Sequence, residues 1–169
     1  MLTEMVVTYL QMREPGQLRG VNVAPAGISL TMVPGADAGR VAGECYRTIG
    51  EPWHWVDRRH LDDAAWQELI EQEQGEVWIA TDAEGLAGYF HLARKDADIE
   101  IRYFGLMERC HGRGIGKWLL TRAVERAWSR SPRRVVLNTC TLDGPAALPN
   151  YLRRGFEVVR EEVHQREIP

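Results

Sequence analysis

The residues of this chain best placed to do chemistry lie in the run His111-Gly112-Arg113-Gly114-Ile115-Gly116-Lys117, where three alternate glycines lead into an amphipathic stretch. Glycine has no Cβ, so it accepts positive φ and lets a ligand oxygen approach the main chain. A helix beginning at such a run aims unpaired N–H groups and the positive end of its dipole at an anion. The letters do not fit a nucleotide P-loop, because His111 stands where its first glycine belongs and Trp118 where Ser or Thr would follow the Gly-Lys pair. The dinucleotide fingerprint also fails, since Lys117 or Leu119 falls where its third glycine is needed. The remaining candidate is the pyrophosphate arm of coenzyme A. Arg109, Arg113 and Lys117 flank the run and offer charge-assisted contacts to phosphate oxygens.

The elements around the run are legible from periodicity. Apolar and polar residues alternate through Met5 to Met12 and Ile28 to Val33, predicting two strands joined by a proline- and glycine-punctuated connection. Helical spacing over Val41 to Ile49 and Ala65 to Ile70, the second behind the capping residue Asp62, brackets a loop carrying Trp53, His54 and Trp55. Glu76 to Thr81 and Leu86 to Ala93 read as a hairpin across Asp82-Ala83-Glu84-Gly85, and Ala97 to Phe104 as a further strand. A helix face follows in Ile115, Leu119, Ala123, Val124 and Ala127, then a buried strand within Arg134 to Thr141, completing a parallel crossover. Pro145 to Arg153 predicts a helix ended by Gly155, and Phe156 to Gln165 a last strand. The plan is a mixed sheet with helices on its faces, an α/β or α+β sandwich.

At 169 residues and 44% hydrophobic, the chain fits one domain, 1–169, with a real core. A net charge of -3 argues against a nucleic-acid or anionic-membrane surface. No leader pattern and no bilayer-length apolar run is evident, so the expectation is a soluble, cytoplasmic protein. Cys45, Cys110 and Cys140 form no even disulfide set and no CxxC pair, and the five histidines show no metal-ligand spacing, so reduced thiols and no metal are expected.

With the glycine run between a strand and a helix, the chain resembles the GCN5-related N-acetyltransferases, the GNAT family, whose loop reads (Arg or Gln)xxGx(Gly or Ala). Here His111, Gly114 and Gly116 hold that frame, with His111 as a departure. Asp143, Ala147, Tyr151 and Gly155-Phe156 match a second family segment, with Asp143 where asparagine is usual. The resemblance implies a mostly antiparallel central sheet with helices on both faces and a splayed parallel pair made by the family's fourth and fifth strands. It puts the core at about 26–169 and makes 1–25 an extra N-terminal strand and connection, filling the place of one of the two strands the family shows after its Gly-Phe.

It further implies acetyl-CoA as donor and the amine of a small molecule or peptide as acceptor, joined by direct attack in a ternary complex. A non-catalytic domain that binds or senses coenzyme A is the alternative. By the same resemblance Phe104, Gly105 and Leu106 would receive the pantetheine arm as an added strand. Gly112, Gly114, Ile115 and Gly116 would hold the pyrophosphate, aided by His111, Arg113 and Lys117, with Asp143 also on the coenzyme. An alkylamine of pKa about 10 must lose a proton before attack, and Glu100 stands at the family's base position. An amide near Leu106 would stabilise the oxyanion, and Tyr151 would give the thiolate its proton. Trp53, Trp55 and His91 would line the acceptor pocket, and a homodimer is a family habit.

Overall fold

The computed structural model describes residues 1–168. Its elements in chain order are β1 (Leu2–Met12), β2 (Ser29–Met32), α1 (Ala38–Gly50), α2 (Asp63–Gln72), β3 (Glu76–Asp82), β4 (Gly85–Lys95), β5 (Asp98–Leu106), α3 (Ile115–Ser129), β6 (Val135–Cys140), α4 (Ala147–Arg153) and β7 (Glu157–Glu167). Seven strands form one sheet in the order β2-β3-β4-β5-β6-β1-β7. Every neighbouring pair is antiparallel except β5 and β6, which are parallel. β1 lies inside the sheet between β6 and β7, with Val7 opposite Cys140 on one side and Glu162 on the other.

Two helical layers cover the sheet, and each is chosen by periodicity. In α1 the buried residues Ala42, Cys45, Tyr46 and Ile49 recur every three or four positions, and they pack with Trp66 and Ile70 of α2 against Val77 and Tyr89. The Asp62 carboxylate starts α2 by accepting the Ala65 N–H at 2.8 Å. On the opposite face Leu119, Leu120, Ala123, Val124 and Ala127 of α3 bury against Leu10, Phe90, Leu92 and Leu137. Covered on both faces, β4 is buried throughout Ala87 to Ala93, which explains its nearly unbroken apolar run.

A register shift between His91 and Leu92 leaves Arg102 without a direct partner, because His91 faces Tyr103 and Leu92 faces Ile101. Such a bulge resets the strand's alternation. Ile99 and Ile101 therefore join the α3 core, Tyr103 enters the α1/α2 layer, and Phe104 and Leu106 return to the α3 side.

Candidate functional site

Strands β5 and β6 share only two paired positions, Ile99 with Val135 and Glu100 with Val136. Beyond Glu100 they part, while β5 stays paired to β4 as far as Leu106 opposite Gly88. The result is a V-shaped gap opening toward the C-terminal ends of two parallel strands, the usual ligand-binding end of such a pair. Phe104, Gly105 and Leu106 form one side of this gap, on an edge of β5 that β6 does not cover.

The glycine run stands immediately beyond. Gly112 has φ +78° and Gly114 φ +76°, conformations costly to other residues, and α3 begins at Ile115. A Cβ on Gly112 would meet nothing within 4 Å, whereas Gly116 is already in the first helical turn. Amides from Gly112 to Gly116 thus form a nest at the positive end of a 15-residue helix. These residues fit a pyrophosphate, and the main chain is the feature that makes them fit.

The expected arginines do different work. Arg109 grips both oxygens of Asp82 at 2.7 and 2.9 Å and donates to the Leu86 carbonyl at 2.7 Å. Arg113 reaches the same carboxylate at 3.0 Å. Hydrogen bonds first from Arg109 and then from Arg113 hold the Asp82 carboxyl well below the usual carboxylate range. Together with the buried Cys110 and a Met107 N–H bond to Ala87 at 2.8 Å, they fasten the loop to the β3–β4 hairpin. Lys117 is exposed and has no ion-pair partner among the described residues.

Tyr151 projects from α4 into the interior, edge-on to Phe104 of β5 and to Phe156, each ring centroid 6.3 Å away. Burial, and secondly the charge of Asp143, raises its phenol well above the ordinary 10.0, so it keeps its proton at neutral pH. Its hydroxyl has no hydrogen-bond partner among the described residues. Asp143 itself clamps the end of β6: one oxygen accepts the Thr139 hydroxyl at 2.5 Å and the Cys140 N–H at 3.0 Å, and the other accepts the Trp55 indole N–H at 3.2 Å.

Trp55 therefore spans the gap. Its ring lies 3.6 Å from where a Gly105 Cβ would stand, and it presses so closely on Gly50 that a Cβ there would fall 2.5 Å away. Tyr46 and Tyr103 pack around it, with the Arg58 guanidinium 5.9 Å above Tyr103. Trp53 stacks on His111 of the glycine run. Beyond them Asp57 is ion-paired to Arg166 of β7, tying the α1–α2 connection to the far strand.

Two expected residues stand apart from this assembly. Glu100 sits at the closed end of the V, ion-paired with Arg102 and lying 3.6 Å from Lys95. Phe104, which carries the contact to Tyr151, is four residues further, about 13 Å along a strand. His91 is completely buried among Trp66, Tyr103 and the start of β3. Desolvation, then Arg102 and Arg58, lowers its pKa to about 3, so it is a neutral core residue and not a pocket wall. Asp82, Tyr103 and the Asp57–Arg166 pair were missed in the sequence, where Asp82 carries only a turn signal.

A splayed parallel pair ending at a glycine-built helix start, within a mixed sheet, defines the fold of GNAT acetyltransferases. The model of the acetyltransferase (GNAT) family matches residues 42–156, and the chain belongs to that family. A mycothiol acetyltransferase from Corynebacterium efficiens is 29% identical over an alignment 152 positions long, with 82% of this chain and 49% of that protein covered. The chain thus spans about half the length of this relative. A GCN5-related N-acetyltransferase from Sphaerobacter thermophilus superposes with TM-score 0.70 at 21% identity, covering 98% of this chain and 52% of that one. An IAA acetyltransferase from Bacillus cereus does so with TM-score 0.58 at 20% identity, covering 79% of each. These two show the shared fold. Among the described residues no helix is long and apolar enough to cross a membrane, and no three His, Cys, Asp or Glu side chains gather as a metal site.

Proposed function

We propose that the chain moves an acetyl group from acetyl-CoA to the amine of a small molecule or peptide by direct attack in a ternary complex. The observation that carries this reading is the opening of the β5/β6 gap onto the amide nest, with a free phenol on its α4 side. The nest holds the pyrophosphate and the uncovered edge of β5 takes the pantetheine amides as an added strand would. The amine nitrogen bonds to the thioester carbon, the oxyanion is met by backbone N–H near Leu106, and the C–S bond then breaks. Tyr151 gives its proton to the departing thiolate, and the second proton of the adduct nitrogen returns to the phenolate and restores it. Before attack, water in the gap takes the ammonium proton and passes it toward Glu100, whose carboxylate, paired with Arg102 at the closed end, lies too far away to take it directly.

Trp55 and Trp53 form the acceptor side, and the mycothiol acetyltransferase relative puts small-molecule amines first among acceptors to test. Retention of Tyr151 with an unshared hydroxyl favours catalysis over a domain that only senses coenzyme A. Release of free thiol from acetyl-CoA, followed across a panel of small amines, polyamines and peptide N-termini, tests the proposal. Amine-dependent release supports it; tight coenzyme binding with no release across the panel supports the sensing domain.

A further inference from the structure

Trp53 and His111 belong to different parts of the sequence and meet in the fold. Trp53 lies in the short helical turn that follows α1, and His111 holds the loop position where the family shows Arg or Gln. In the fold their rings stack, centroids 6.1 Å apart and planes within 11°. The same indole rests on Gly144, where a Cβ would stand 3.2 Å from the ring. His111 follows β5 and Gly144 follows β6, so Trp53 bridges the two sides of the gap.

The connection carrying Trp53 is also anchored at its far side, where Trp55 packs on Tyr46 and Tyr103 and the Arg58 N–H donates to the Tyr46 hydroxyl at 3.0 Å. His54 turns it with φ +59°, Trp55 bonds Asp143 two residues on, and Asp57 is paired with Arg166. Trp53 is the contact among these that reaches the glycine run itself. We propose that the Trp53–His111 stack couples the two substrate sites, making the acceptor connection depend on the loop that holds the coenzyme's pyrophosphate. This inference rests on the function proposed above. An anion bound on the Gly112 to Gly116 amides orders the loop beside His111, and a fixed imidazole gives the indole a fixed partner. The coupling is reciprocal, as any coupling between binding free energies must be. It also accounts for an imidazole at this position: a flat ring meets the indole face, and the main-chain amides serve the phosphates. Trp53 and His111 are thus positioning residues.

Amide hydrogen exchange on the full chain, with and without coenzyme A, tests this. Coenzyme A slows exchange in residues 110–118 and, through the stack, in residues 50–58 by about threefold or more, the size expected of one aromatic pair. In His111→Ala the first protection persists and the second is lost, while His111→Phe, which keeps a flat ring, restores it. Coenzyme affinity weakens by a similar factor in Trp53→Ala and His111→Ala, and the double variant is no worse than either alone. Protection of 110–118 without 50–58 in the wild type, or full protection of 50–58 in His111→Ala, overturns the coupling. Protection of neither segment contradicts the coenzyme reading and the coupling with it.

Discussion

Tyr151 shows how one side chain is given a task by its surroundings. Wedged between Phe104 and Phe156 and pushed upward by burial, it cannot ionise at neutral pH, yet its proton is spoken for by no acceptor among the described residues. Tyr151→Phe keeps the ring packing and removes only the donor. Turnover should fall about 100-fold or more, the lower range for a positioned acid, with coenzyme affinity unchanged in calorimetric titration; equal loss of affinity would make the hydroxyl a binding group. Glu100→Gln should cost turnover less, because that carboxylate already neutralises Arg102.

His91 supplies a second residue-scale prediction, this time of stability. Its folded pKa of about 3 lies below the ordinary 6.5, so the unfolded chain takes up a proton that the folded one refuses. Stability is at its full value above pH 6.5 and is lost as pH falls from there toward 3, at up to about 1.4 kcal/mol per pH unit from this residue. Melting temperatures measured between pH 4 and pH 7 should drop less steeply in His91→Leu than in the wild type.

At the scale of elements, the glycine run works because other segments hold it. Asp82, at the end of β3, binds both Arg109 and Arg113, and its side chain is only 8% exposed. Removing it should loosen the nest: Asp82→Ala is expected to weaken coenzyme binding by about tenfold, the loss of one charge-assisted cluster, while turnover at saturating coenzyme changes little. A fall in turnover with unchanged affinity would place Asp82 in the chemistry instead. The run and the α3 face were legible in sequence because glycine spacing and helical periodicity are local. The grip of Asp82 was not, since it joins residues 27 and 31 positions apart. Nor was the bulge at Arg102, which depends on how β4 and β5 settle their register. Asp143 illustrates the same limit: its position matches the family segment, but its bonds go to Trp55, Thr139 and Cys140.

For the whole molecule, the seat of β1 between β6 and β7 agrees with the place that the family resemblance leaves for an extra strand, and it has structural weight. Alternation announces a strand, but its neighbours are chosen by contacts with residues 135–140 and 157–167 at the other end of the chain. Leu10 carries that strand into the α3 core and is 1% exposed. Leu10→Ala should therefore cost about 2–5 kcal/mol of unfolding free energy in urea, although it lies outside the coenzyme gap. The mixed sheet, the helices on both faces and the parallel crossover were all readable from the order and period of the elements.

The proposed function rests on coenzyme A binding at the amides at the start of α3. Gly114 and Gly116 separate binding from folding there: Gly114 holds φ +76°, while a Cβ on Gly116 would meet only ordinary contacts, 3.6 Å from Leu106 and 3.8 Å from Asn150. Calorimetric titration of acetyl-CoA against wild type, Gly114→Val and Gly116→Ala is the most direct measurement. Binding should be tight in the wild type, kept in Gly116→Ala and weakened by about tenfold or more in Gly114→Val, where a branched side chain forces the backbone out of the left-handed region. Equal affinity in wild type and Gly114→Val would put the phosphates elsewhere and overturn the coenzyme site proposed at the start of α3.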